Sequence, residues 1–275
     1  MADNDFGARL HAAMAARGPL CVGIDPHPEL LKAWGLPVDA AGLETFALTA
    51  AEAFGDTAAI VKPQSAFFEA FGSAGIAVLE RTIAALQRAG ALVLLDAKRG
   101  DIGSTMHAYS RAYLDDGSPL AVDALTVSPY LGFGSLLPAV LSAQRSGRGL
   151  FVLCRTSNAE GREVQLATGP AGRSVAQNIV DGVAALNDGA DPLGSFGVVI
   201  GATVDSLDVD ASSLNGPILA PGLGAQGAGS DQVRALFGEQ LSAVVPASSR
   251  EILGAGPSPR RLRDEVRRQN EQLRR

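Results

Sequence analysis

ALVLLDAKRGDIGSTMHAY, residues Ala91–Tyr109, is the stretch on which the reading of this chain turns. Its first five residues, Ala91 to Leu95, are uniformly apolar and predict a buried strand. Asp96, Lys98 and Asp101 then fall within six positions, split by Gly100, and a helix-like run follows. Side chains two apart on a strand share a face, so Asp96 and Lys98 are expected to point the same way. Charges placed at the end of a buried strand need mutual pairing or a ligand, because desolvating them alone is costly. A purely structural alternative makes Asp101 a helix N-cap and the other two an end-of-strand ion pair. The stretch by itself leaves both readings open.

Working outward, seven more strand-like runs alternate with helical patterns. They end near Asp25, Lys62, Ser128, Arg155, Thr203, the glycine-rich PGLGAQGAG and Arg250. Asp25 to Arg250 covers 225 residues in seven intervals, about 32 each, a usual size for a βα unit. The segment VDSLDVDASSLNG leaves room for only a short helix. The pattern predicts one (β/α)8 barrel domain over residues 1–275, with an N-terminal helix from about Asp5 to Arg17 and a basic, solvated C-terminal helix. An open doubly wound sheet is the other candidate, but no GxGxxG follows the first strand. In a barrel, all strand C-termini converge on one mouth, where catalytic groups gather. Asp25, Lys62, Asp96 with Lys98, Ser128, Arg155, Gln226 and Arg250 all lie at or just beyond such ends.

Composition narrows the function. Hydrophobic residues make up 47% and charged residues 19%, enough apolar material for a large core. A net charge of −6 argues against nucleic acid or an anionic membrane as partner. No apolar run reaches the ~18 residues of a membrane span, and the N-terminus lacks a signal-peptide core. Cys21 and Cys154 sit inside strand-like runs and read as small core residues, so the expected location is cytoplasmic.

Lysine usage is informative. Only Lys32, Lys62 and Lys98 are lysine, against 20 arginines. Keeping lysine at Lys62 and Lys98 suggests a compact ammonium able to release a proton, which guanidinium is not. The glycine-rich loop after the seventh strand, with Arg250 after the eighth, matches where barrels bind phosphate through backbone N–H groups and a bidentate arginine.

The Asp-x-Lys-x-x-Asp element, together with VGIDP, IVKPQ, LTVSPYLG, APGLGAQG and SSREI in that order, resembles the longer bacterial branch of the orotidine 5′-phosphate decarboxylase family. The resemblance implies cofactor-free conversion of orotidine 5′-phosphate to uridine 5′-phosphate and CO2 in pyrimidine biosynthesis. It implies that Asp25 and Lys62 hold the ribose hydroxyls, and that Lys62, Asp96, Lys98 and Asp101 form a charged array. Asp101, Ile102 and Thr105 would reach into the other site of a homodimer. Ser128 would hydrogen-bond the pyrimidine, Pro221 would line the pocket, and Gln226 and Arg250 would grip the phosphate. One departure stands out: many relatives carry Gly where this chain has Ser249. Arg155, Thr156 and Asn158 receive no role from the resemblance.

The residue types suit that chemistry. Losing CO2 from a ring carbon leaves a carbanion with no π-system to spread it, and a fixed ammonium can both stabilise it and donate the proton. Asp96 against the departing carboxylate adds repulsion that eases as CO2 leaves. The formal charges of Lys62, Asp96, Lys98 and Asp101 cancel. His11, His27 and His107 form no ligand set, so no metal and no other cofactor is expected. Two other functions share parts of the pattern: Mg²⁺-dependent sugar-phosphate lyases of similar fold, and a non-catalytic phosphate-binding barrel.

Overall fold

The computed structural model describes residues 5–169, 172–224 and 227–274. Its eight strands are β1 (Cys21–Ile24), β2 (Ile60–Pro63), β3 (Leu92–Arg99), β4 (Ala124–Val127), β5 (Gly149–Arg155), β6 (Phe196–Ile200), β7 (Ile218–Pro221) and β8 (Val244–Ser248). Each pairs in parallel with its sequence neighbours, and β8 closes on β1 through Cys21 with Ala247 and Val22 with Ser248. The closed parallel barrel excludes the open sheet.

Alternation along the strands builds two apolar layers. Val22, Ile24, Val61, Val93 and Leu95 face outward and pack beneath the helices. Cys21, Ile60, Leu92, Leu94, Phe151, Val199, Leu219 and Val245 fill the barrel interior. The N-terminal helix Phe6–Arg17 stoppers the bottom of this inner layer. Phe6 meets Phe151 edge-on at 6.0 Å, and a Cβ on Gly149 would lie 2.2 Å from the Phe6 ring. The helix Gly72–Ala89 follows the expected period and ends at Gly90 in the left-handed conformation (φ 92°).

Several boundaries differ from the sequence reading. β3 does not stop at Leu95 but runs on through the charged residues to Arg99, with an irregular register against β4. β6 ends at Ile200 rather than Thr203, and no helix forms between β6 and β7. That connection is rich in Asp and Ser, which bond to their own backbone and compete with helix. Arg250 does not end β8; it opens the short helix Arg250–Leu253. The C-terminal helix Pro259–Arg274 is only half solvated. Leu262 and Val266 are fully buried, and Asn270 accepts a hydrogen bond from the Leu20 amide just before β1. Cys21 and Cys154 are free and buried, and burial pushes both thiols up to about 12. Among the described residues, no helix is long and apolar enough to cross a membrane.

Candidate active site

The polar centre of the barrel mouth is the Asp96 carboxylate. Its Oδ2 accepts from Lys62 Nζ at 3.0 Å and Gln64 Nε2 at 3.0 Å. Its Oδ1 accepts from Lys98 Nζ at 2.6 Å and Thr126 Oγ1 at 2.9 Å. Both Asp96 and Lys62 are buried, whereas the Lys98 side chain is about half exposed. Burial alone would raise the Asp96 carboxyl, but the two ammonium groups outweigh it and hold it well below the ordinary carboxylate range. Burial likewise opposes the Lys62 ammonium, and Asp96 and Asp25 outweigh it, holding Lys62 above its ordinary range.

β4 locks this arrangement in place. The Thr126 hydroxyl accepts the amides of Ala97 and Lys98, both at 3.0 Å, while donating to Asp96. It substitutes for sheet partners where the β3 register slips, and Lys98 there adopts φ 48°, which is strained for a residue with a Cβ.

A cavity of about 340 Å³ opens above the array. On the β1 side it is bounded by Gly23 and Asp25, and on the β7 and β8 side by Pro221, Gly222, Ser249 and Arg250. Arg250 is exposed at the rim. Among the described residues, Asp25 Oδ1, Ser248 Oγ and Ser249 Oγ at this cavity are buried and have no hydrogen-bond partner. Ser249 has φ −134°, so its backbone does not require glycine. Its side chain occupies space left open by Gly23, where a Cβ would lie 2.7 Å from Ser249 Cβ and 3.3 Å from Asp25 Oδ1.

The loop just past β5 supplies the opposite wall through Thr156, Ser157 and Asn158. Arg155, at the end of the same strand, turns away from the cavity and is fully buried against Asp208. This corrects the idea that every polar strand end faces the mouth: Arg155 is the last strand residue, and its long side chain is held outside by a carboxylate from the connection between β6 and β7.

The structure thus gathers Asp25, Lys62, Asp96, Lys98, Pro221 and Arg250 around one cavity. Ser128 lies one residue past β4, donates its amide to the Arg99 carbonyl, and is not among the lining residues. Asp101, Ile102 and Thr105 do not line the cavity either. Asp101 Oδ1 accepts the adjacent Ile102 amide at 2.7 Å, and the N-cap of the helix Gly103–Leu114 is Ile102, without a side-chain bond. Gln226 lies outside the described residues.

Gln64, Thr126, Thr156, Ser157 and Asn158 escaped the sequence reading as site residues. Each sits one to three positions from a flagged strand end, and that adjacency was the available signal. Among the described residues, no cluster of three or more His, Cys, Asp or Glu side chains is placed to hold a metal ion.

Residues 18–264 match the model of the orotidine 5′-phosphate decarboxylase / HUMPS family. An orotidine 5′-phosphate decarboxylase from Salinispora arenicola is 61% identical over 260 residues, 94% of each chain. One from Nocardioides sp. is 61% identical over 272 residues, 98% of each. A crystal structure from Streptomyces avermitilis superposes with a TM-score of 0.97 at 57% identity, covering 100% of this chain and 96% of that one. The OMP decarboxylase of Leishmania donovani gives 0.71 at 28% identity, covering 96% and 97%. A match across nearly the whole barrel, at identities near 60%, establishes that this chain belongs to the orotidine 5′-phosphate decarboxylase / HUMPS family.

Proposed function

We propose that this protein decarboxylates orotidine 5′-phosphate to uridine 5′-phosphate and CO2 without a cofactor, with Lys98 as the proton donor. The observation that carries the reading is the buried Asp96 carboxylate held between two ammonium groups, one of them exposed to the cavity. The names of the close relatives give the substrate.

In this reading the phosphate sits at the Arg250 rim and the ribose hydroxyls meet Asp25 and Lys62. Asp25 Oδ1, buried and without a partner among the described residues, is the acceptor such a hydroxyl needs. The base lies over Lys98, facing Thr156, Ser157 and Asn158; we assign its polar edge to this wall rather than to Ser128. The bond from the ring carbon to the carboxylate breaks, and its electron pair stays on the ring carbon. The Lys98 ammonium stabilises that charge and transfers a proton to it. Solvent then reprotonates Lys98, which half-exposure permits. Asp96 fixes the ammonium beforehand, so little reorganisation accompanies the step.

Within one chain, Lys62, Asp96 and Lys98 together carry one excess positive charge, and Asp101 is not among their partners. We propose that Asp101 and Thr105 serve the site of a second copy in a homodimer. Ile102, Tyr130, Leu131, Leu137 and Leu141 support this: they are large, exposed apolar side chains from the adjoining third and fourth βα units.

The test is an ultraviolet assay of orotidine 5′-phosphate loss, with and without chelator. Turnover insensitive to chelator is expected; chelator-sensitive turnover, or none, would sink the reading.

A further inference from the structure

Arg155 is fully buried yet touches no part of the cavity. A buried guanidinium is retained only when its donors are matched. Here Nε and Nη2 both donate to Asp208 Oδ2, at 3.2 and 2.8 Å. Nη1 donates to the Thr156 carbonyl and to Gln165 Oε1, both at 3.3 Å. The same Gln165 oxygen accepts the Thr156 amide at 3.0 Å, and Gln165 Nε2 donates to Thr156 Oγ1 at 2.7 Å. Thr156 Oγ1 in turn donates to Asn158 Oδ1 at 2.6 Å. The chain of contacts therefore runs from Asp208 through Arg155 and Gln165 to two side chains of the cavity wall.

Two further features fit this role. Asp208 belongs to the connection between β6 and β7 that contains no helix, a long irregular segment at the mouth of the barrel. It holds a left-handed backbone (φ 55°), and its other oxygen accepts from Ser206 Oγ at 2.6 Å. Second, Gly161 leaves room for the network. A Cβ there would lie 2.7 Å from Thr156 Oγ1 and 2.9 Å from Gln165 Nε2.

We infer that Arg155 and Asp208 form a clip that fastens the β6–β7 connection to the end of β5, and so sets the positions of Thr156 and Asn158 against the base of the nucleotide. Arg155 is thus a positioning residue for base recognition. The inference rests on the proposed function, which places a pyrimidine at this wall. The wall meets a part of the ligand that is present in substrate and product alike, so loosening it weakens both to the same degree.

The test measures dissociation constants for uridine 5′-phosphate and ribose 5-phosphate, which differ by the base. In Asp208→Asn and Arg155→Met, affinity for uridine 5′-phosphate should fall about tenfold or more while ribose 5-phosphate changes less than about twofold. In turnover the loss should appear in KM, with kcat within about threefold of wild type. Arg155→Lys should rescue only in part, because an ammonium cannot reproduce the fork that meets Asp208 and Gln165. The double variant should be no worse than Arg155→Met, since both break one unit. Equal losses on the two ligands, or none in a folded Asp208→Asn protein, overturn the clip. Asp208 is partly exposed, so this variant carries the test where Arg155→Met does not fold.

A wild-type protein that does not bind uridine 5′-phosphate overturns the functional reading instead. Hydrogen exchange then decides the clip: in Asp208→Asn, residues 156–165 and 203–210 must loosen together, and independent behaviour refutes it.

Discussion

Lys98 Nζ stands 2.6 Å from Asp96 Oδ1 although the two residues are separated by only one position on the same strand. Regular pleating spaces such residues about 6.6 Å apart along the strand and aims both side chains outward in parallel. Here a register slip and a left-handed Lys98 bend the chain so that the ammonium folds back onto the carboxylate. The strained backbone is held by Thr126, which binds both neighbouring amides. Strain at this position places the exposed ammonium at the cavity.

The Lys98 series separates chemistry from strain. Lys98→Ala, Lys98→Arg and Lys98→Gly should all lose nearly all turnover, since none supplies a proton-releasing ammonium there. Their stabilities should differ. Glycine accepts φ 48° freely, so Lys98→Gly should exceed Lys98→Ala by about 1 kcal/mol in denaturant unfolding. An arginine variant near the wild-type rate would refute the proton-donor role.

Asp96→Asn tests the buried pair. Removing the carboxylate leaves Lys62 without its nearest countercharge, and stability at pH 7 should fall by about 3–5 kcal/mol. The native Asp96 carboxyl lies below its unfolded value, so its contribution is complete above pH ~4 and is lost as pH falls further. The gap between wild type and Asp96→Asn should therefore shrink as pH drops from about 4 towards 2. Lys62 shows the opposite sign: its contribution is complete below about pH 10 and fades as pH rises beyond. Unfolding curves across this range check both limbs, and a gap constant down to pH 2 would contradict the assignment.

Much of the barrel was legible because its signals are local. Apolar runs such as Leu92–Leu95 and Val198–Ile200, bounded by Gly, Pro and charge, mark buried parallel strands without any tertiary information. Asp25, Lys62, Asp96 and Lys98 were legible for the same reason, since charge at the end of such a run is rare. Gln64 and Thr126 were not. A Gln or Thr at a strand end is ordinary in composition, and its importance arises only from aim: both point at Asp96 from neighbouring strands. Arg155 failed in the other direction. Its position matched the pattern, but Asp208, fifty-three residues on, draws its side chain away from the mouth.

Arg250 tests the phosphate end. Arg250→Ala should lower kcat/KM on the nucleotide by about 2–5 kcal/mol of transition-state binding, the cost of cutting a charge-assisted pair. The phosphate-free nucleoside should respond little. Equal losses on the two substrates would place Arg250 away from the phosphate.

Gly23 and Ser249 should behave as a coupled pair. Gly23→Ala places a Cβ 2.7 Å from Ser249 Cβ and crowds Asp25, so activity should fall and overpacking should cost about 1–3 kcal/mol of stability. Adding Ser249→Gly removes that clash and should restore part of both. Additive losses in the double variant would show that the two positions do not share this space.

Asp101 is tested by mixing two defective proteins. The single chain joins Lys62, Asp96 and Lys98 but leaves Asp101 bonded to its own neighbouring amide. Asp96→Asn and Asp101→Asn are each expected to be nearly inactive. When the two are unfolded together and refolded, a mixed dimer draws Asp96 from one chain and Asp101 from the other at each site. One of its sites then carries Asn at both positions, and the other is whole. Random pairing makes half the dimers mixed, with half their sites intact, so about a quarter of wild-type activity should return. If Asp101 instead completes the site of its own chain, every site keeps one defect however the chains pair. Dimers shown by mass to have mixed, yet still inactive, would rule out a site shared between subunits.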